Sequence, residues 1–369
     1  MRYLFLVIAL MLTACAGASG TDSGVTLRDD HLLTTEAGLD ASVEASVASI
    51  IARPIHRAPV TFPLSVYTQK GKVYGELTVS PAALQARERR MIVLVPGTLA
   101  NGGGYYSVEA EGYNTVDLLA RRGAFVLVVD LPGTGKSYKP HGASIRVTEQ
   151  AAAVRALARP IALALGVQGV DVYGETGVGG NVALMLAREN WIRSIVGSAM
   201  FYKQFGPAMG EAGYFDPAFR AVLDSLPNGY MPNDPVALET VFFAAAPDHV
   251  RPLAVAATVG EAPWVIPSSP FYDLLDLSGP DTPTTYRLAD PIVEAAPARA
   301  PALFIQGVPD FVGDVAGTYE MANEYGTTGG GTAQVIELQG ATHLMRFDEG
   351  ISDGPSSPFW QPILAFLDL

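Results

Sequence analysis

The sequence has one cysteine, Cys15, so no disulfide can form within the chain. Histidine is nearly as scarce, with five in 369 residues, and no His, Cys and carboxylate group has the spacing of a metal site; neither a metal nor a cofactor is implied. Positive charge is in deficit: 24 basic against 37 acidic residues give a net charge of −13, which argues against nucleic acid as a partner and against a basic patch for anionic lipid. Long apolar runs are missing apart from one at the N-terminus, and that one is too short to span a bilayer. What remains is a chain 49% hydrophobic and only 17% charged. It can bury one large core, and suits a single α/β domain with an insertion better than two unrelated domains.

Residues 1–15, MRYLFLVIALMLTAC, carry a basic residue, an apolar run of signal-peptide length and small residues before the cysteine. Leu12-Thr13-Ala14-Cys15 resembles the bacterial lipobox, in which the thiol receives diacylglycerol and cleavage leaves the cysteine as the N-terminus. That the chain's one thiol sits there supports lipidation at Cys15 and a membrane tether through lipid alone. Ala16 follows where an aspartate would resemble an inner-membrane retention signal, so the expected location is the outer membrane, facing the periplasm. An ordinary secretory signal with an incidental cysteine is the alternative. Residues 16–55, rich in Ala, Ser, Thr, Gly and Asp, read as a flexible tether with a short helix near 41–51.

Beyond the tether, 62–70 and 72–80 alternate apolar and polar residues around Gly71, the pattern of an edge hairpin. Short apolar runs at 91–95, 124–130, the start of 170–187, 192–199 and 302–306 are of the kind buried on both faces of a parallel sheet. Helices are predicted over 116–123, 147–165 with a kink at Pro160, and 181–190; a last strand at 334–338 precedes a closing helix at 359–367. Strand and helix in alternation imply right-handed crossovers. Residues 201–298 break this rhythm with many prolines and aromatics, and show little helical periodicity outside 217–226 and 235–246. The fragment GTGKS at 133–137 does not complete a P-loop, since G-x-x-x-x-G-K-[ST] needs glycine where Asp130 stands.

The stretch that organises the rest is 170–187, VDVYGETGVGGNVALMLA: a strand, a glycine-dense turn, then an apolar helix. It resembles the nucleophile elbow of the α/β-hydrolase superfamily, whose G-x-S-x-G turn holds a serine above the sheet. The segment 118–140, LLARRGAFVLVVDLPGTGKSYKP, resembles the same family's fourth strand and the D-x-x-G-x-G-x-S turn after it. Over about 62–369 the resemblance implies an α/β-hydrolase fold: a mostly parallel eight-stranded sheet with helices on both faces. The core would be 56–200 and 299–369, and 201–298 would be a cap inserted after strand 6. It also implies an acid at Asp310, in Gly307-Val308-Pro309-Asp310, with Asp314 as fallback, and the catalytic histidine at His343. Among the histidines only His343 follows the end of a predicted strand, where open α/β sheets place ligands. The oxyanion hole would draw on a backbone N–H at Thr98 or Leu99, in the glycine-rich loop after 91–95, and on Gly177 just beyond the elbow.

The elbow has no serine. Counted from the strand, Gly174, Glu175 and Thr176 fall on G-x-S; counted from the helix, Gly179, Gly180 and Ala183 fit best with Gly177 in the nucleophile's place. Thr176 has a hydroxyl, but elbows force positive φ, costly for a β-branched residue. Glu175, with Gly177 two residues on, resembles the carboxylate nucleophiles of haloalkane dehalogenases and epoxide hydrolases. A third possibility is that no covalent nucleophile exists. Two function classes stand open: a lipid-anchored hydrolase of ester-like or small apolar substrates, and a non-catalytic binding protein of the same fold.

Overall fold

The computed structural model describes residues 36–53, 55, 58–97, 102–200, 225–231, 235–259, 266–267, 300–310, 312–327 and 330–369. Cys15, Thr98, Leu99 and most of 201–298, including residues 217–224 of the helix expected over 217–226, lie outside the described residues.

Strands β1 (Val60–Thr68) and β2 (Gly71–Val79) form the expected hairpin, and in β1 the buried Phe62, Leu64 and Val66 alternate with exposed neighbours. The remaining strands are β3 (Arg90–Val95), β4 (Ala124–Asp130), β5 (Val170–Glu175), β6 (Ile192–Ser198), β7 (Ala302–Val308) and β8 (Ala333–Gln339). They make one eight-stranded sheet in the order β1-β2-β4-β3-β5-β6-β7-β8. Only β2 runs against its neighbours. The apolar runs are continuous because both faces are covered: in β3, Met91, Val93 and Val95 enter one core while Ile92 and Leu94 enter the other.

Helices α1 (Glu36–Ile51), α3 (Val147–Leu165), α4 (Thr176–Leu186) and α5 (Val315–Thr327) pack into the first of these cores, and α2 (Thr115–Arg121) and α6 (Trp360–Leu367) into the second. Helix α3 is continuous through Pro160 and ends on Gly166 in the left-handed conformation. The expected helix at 235–246 is present over 235–242, as one α-helical turn, Pro235–Ala237, that continues into a π-helical stretch, Leu238–Phe242; a further helix, Arg251–Val259, lies in the same inserted region.

The expected tether at 16–55 is corrected in its second half. Helix α1 buries Val43, Val47 and Ile50 against α3 and β1. Those three positions make a one-sided stripe, but the alanines and serines between them dilute it. Helix α5 was likewise hidden: its buried face is Gly317, Thr318, Met321 and Tyr325, half of it too small or too polar to read as apolar.

If α1 is part of the core, Val47→Ala should cost about 2 kcal/mol from lost methyl burial and the cavity left behind. The neighbouring exposed Glu44→Ala should be neutral within about 0.5 kcal/mol. Urea-unfolding midpoints of the two variants measure the difference; a neutral Val47→Ala would return α1 to the tether.

Candidate active site

In a parallel sheet the loops after β3, β5, β7 and β8 emerge at one edge, and here they carry Gly97, Thr176, Asp310 and His343 respectively. The turn from β5 into α4 follows the strand-side count. Glu175 is extended, and Thr176 opens the helix at φ 48°. A β-branched residue in that region is strained by about 1–3 kcal/mol and persists only where packing dictates the backbone. The packing is visible in the glycines: a Cβ on Gly174 would meet the carbonyl oxygen of Gly179 at 2.2 Å, and one on Gly179 would meet that of Val95 at 2.5 Å. The small-residue position that presses against β3 is thus Gly179, while Val178 points into the core at 1% exposure. This displacement by one residue is why the two counts along the sequence disagree.

The Thr176 hydroxyl faces the loop after β3. A Cβ on Gly97 would lie 1.6 Å from its Oγ1, so only glycine leaves the hydroxyl room. Sequence reasoning passed over Gly97 for Thr98 and Leu99, although the pair Pro96-Gly97 directly after the strand is a visible signal. Behind that loop, Asp130 receives a hydrogen bond from Gly102 N (2.8 Å) at the start of the short helix Gly102–Tyr106, and another from Lys136 N (2.7 Å). The GTGKS turn therefore wraps a carboxylate. Burial raises the Asp130 pKa, and these backbone donors lower it in part. Gly177, the second residue of α4, has a backbone N–H with no acceptor inside its own helix.

Asp310 and His343 are brought together. Nδ1 of His343 lies 3.0 Å from Oδ2 and 3.1 Å from Oδ1 of Asp310, and both side chains are buried. Oδ1 also accepts from the N–H groups of Val312 (2.8 Å) and Gly313 (3.1 Å), and Oδ2 from Nε2 of Gln306 (2.7 Å). Gln306, fully buried on β7, is held in turn by the Thr318 hydroxyl on α5 (3.2 Å). Burial alone would raise the Asp310 pKa, but the histidine's charge and these donors outweigh it and hold the carboxyl below its ordinary range. An ionised carboxylate only accepts, so Nδ1 carries the proton and Nε2 of the neutral ring is the basic nitrogen. The turn before His343 is fixed by Asp348, which accepts from the Thr342 N–H and hydroxyl. Asp314, the fallback acid, accepts from Ala316 N at the start of α5.

Glu175, the alternative nucleophile, is held by an arginine. Its carboxylate is buried and accepts from Nε of Arg346 at 3.1 and 3.3 Å, on the far side of the elbow backbone from the core of α4. Arg346, fully buried on the loop after His343, escaped sequence reasoning; a lone arginine amid LMRF gives no signal of its own. Among the described residues no group of three or more His, Cys, Asp or Glu side chains could hold a metal, and no helix is long and apolar enough to cross a membrane.

Comparison with solved structures agrees with this architecture. A membrane phospholipase A, described as a bacterial virulence factor, superposes with a TM-score of 0.53 at 20% identity, over 100% of this chain and 98% of its own. The chain has the α/β-hydrolase fold. An epoxide hydrolase from Vigna radiata (TM-score 0.55, 15% identity, 84% of this chain and 98% of that one) and a putative lipase from Acinetobacter baumannii (0.52, 14%, 95% and 99%) share it. No protein-family model and no curated protein matches the sequence. At these identities the likeness speaks for the hydrolase fold and not for a substrate.

Because Asp310 is held below its ordinary range, its charge stabilises the fold above the unfolded carboxylate pKa of about 4, and that contribution is lost as pH falls through the lower folded value. Urea unfolding of wild type and Asp310→Asn from about pH 7 to about pH 2 should therefore show their stability difference shrinking across the acid range only. A difference that stays constant with pH would contradict an ionised Asp310.

Proposed function

We propose that the chain is a cell-envelope lipoprotein hydrolase of ester-like, small apolar substrates, using Thr176 as nucleophile, His343 as general base and acid, and Asp310 to orient the histidine. The observation that carries this reading is the Asp310–His343 pair at the same sheet edge as a hydroxyl held in a strained turn. Pure binding has no use for an imidazole with its tautomer set by a buried carboxylate. In the proposed reaction Oγ1 of Thr176 attacks the ester carbonyl carbon while Nε2 of His343 takes its proton, and Asp310 steadies the imidazolium. The oxyanion forms against the N–H of Gly177 and one from the loop at Thr98 or Leu99. His343 returns the proton to the departing alcohol, and water then releases the acid by the same steps in reverse order of roles. The N-terminal motif around Cys15 supports lipid anchoring and an outer-membrane site facing the periplasm.

The full chain in detergent should hydrolyse short-chain p-nitrophenyl esters. Thr176→Ala and His343→Ala should each lower kcat by about 10³-fold or more, and Thr176→Ser should retain or raise it. A fluorophosphonate ester should phosphonylate Oγ1 of Thr176 in the wild type, adding the mass of the reagent less that of the HF released. A wild type no faster than His343→Ala, with no adduct, would leave the binding-protein alternative.

Lipidation has its own test. Expressed in a bacterial host, the wild type should enter the detergent phase of a Triton X-114 partition and Cys15→Ser should remain in the aqueous phase. Equal partitioning would remove the anchor.

A further inference from the structure

The hydrolytic reading leaves two deeply buried charges of the described core unused. Arg346 is 0% and Glu175 1% exposed. The guanidinium ties the elbow strand to the short helix Gly102–Tyr106 and to the start of α2. Nε donates to Glu175, the residue before Thr176 (3.1 Å to Oε2). Nη2 donates to the carbonyl oxygen of Tyr105 (2.9 Å), at the end of the short helix behind the Gly97 loop, and Nη1 to the Thr115 hydroxyl (3.2 Å) at the start of α2. Arg346 itself lies in the 3₁₀ turn Met345–Phe347 that follows His343. Its planar face is sandwiched by Phe347, Tyr105 and Tyr106, with the guanidinium carbon 4.0, 4.3 and 4.9 Å from their ring centroids. Burial works against charge on Arg346, but the Glu175 carboxylate more than offsets it. The same carboxylate, after burial, raises the pKa of Tyr105, Tyr106 and Tyr173, so these phenols stay neutral.

We propose that Glu175 and Arg346 are a positioning pair, resting on the triad reading above: one buried guanidinium fixes the elbow, the oxyanion-loop helix and the histidine turn relative to one another. Stability alone is a poor reason for such a pair, because desolvation consumes most of its attraction and apolar replacements of both members are often neutral. Geometry is a better one. The forked guanidinium sets direction as well as distance for three backbone segments, and a misplacement of reacting groups by about 1 Å costs on the order of 10²-fold in rate. Glu175 occupies the variable position of the elbow, so its side chain reports the orientation of the turn that aims Thr176. Arg346 reports the orientation of the turn that aims His343.

The test compares wild type, Glu175→Gln, Arg346→Met and the double variant Glu175→Gln/Arg346→Met in the full chain. Three readouts are taken: urea midpoint, kcat and KM on p-nitrophenyl butyrate, and the low-field proton resonance of His343 Nδ1–H, assigned by its absence in His343→Ala. Arg346→Met strands a buried carboxylate and should unfold at lower urea, whereas the double variant should recover most of the wild-type midpoint. A positioning pair predicts that the recovered double variant still has kcat lowered about 10-fold or more with KM within about two-fold, and a shifted or lost His343 resonance. Wild-type kcat and an unchanged resonance in the double variant would make the pair structural and overturn the proposal. Should the double variant not fold, Glu175→Gln, which keeps the other hydrogen bonds of Arg346, is read by the same criteria. If the wild type shows no turnover, the hydrolase reading fails by itself; the resonance then decides, and an unchanged signal overturns the positioning role.

Discussion

A single backbone constraint underlies the site: the chain must reverse from β5 into α4 within the space left between β3 and β6. Thr176 meets it at φ 48°, a conformation its branched side chain resists. The strain is held in place because Gly174 and Gly179 let the turn close on itself and on the end of β3, and because α4 is buried along its whole length. Once that turn is fixed, the hydroxyl faces Gly97, and the first N–H groups of α4 face the same edge of the sheet. The remaining site residues need only reach that edge, which parallel strands guarantee.

Buried charge is arranged on two sides of this turn. Toward the histidine, Asp310 is surrounded by donors from three directions and is held below its ordinary pKa. Asp130, Asp171 and Asp348, the other buried aspartates with shifted values, are raised by desolvation despite their hydrogen bonds. The difference is that two backbone N–H groups, a buried amide and the histidine all converge on Asp310, whereas at Asp171 desolvation outweighs even the Arg193 guanidinium and the Ser194 hydroxyl. Away from the histidine, Glu175 and Arg346 neutralise each other within a ring of aromatic side chains. A chain that spends so few residues on charge has placed a fully buried ion pair directly beside the elbow.

The fold was legible because its signals are redundant. Continuous apolar runs such as 124–130 and the hairpin at Gly71 appear in the structure almost residue for residue, as do Asp310 and His343, whose positions follow from strand order. What escaped was carried by residues that are ambiguous in isolation. Helix α1 hides three valine and isoleucine contacts among alanines and serines, and α5 buries a glycine and a threonine where a pattern search wants leucine. The elbow misled in the helix-side count because Val178 fills core where the family motif has glycine, and Gly179 takes over the close approach to β3. Arg346 was invisible for a different reason: its partners Glu175, Thr115 and Tyr105 lie more than 100 residues away, and no local spacing encodes such contacts.

Threonine in place of serine is consistent with this geometry and not merely a defect in it. A serine hydroxyl at the elbow can rotate among three staggered positions, whereas the threonine methyl must occupy one of them and so restricts the hydroxyl to the others. With Gly97 beneath it, the hydroxyl lies against the loop after β3. The cost is the strained φ of a branched residue; the return is a hydroxyl with fewer staggered positions open to it. That exchange is tolerable only where the turn is rigid, and the rigidity comes from the same contacts, the glycines of the elbow on one side and the Glu175–Arg346 pair on the other, that fix the histidine loop opposite.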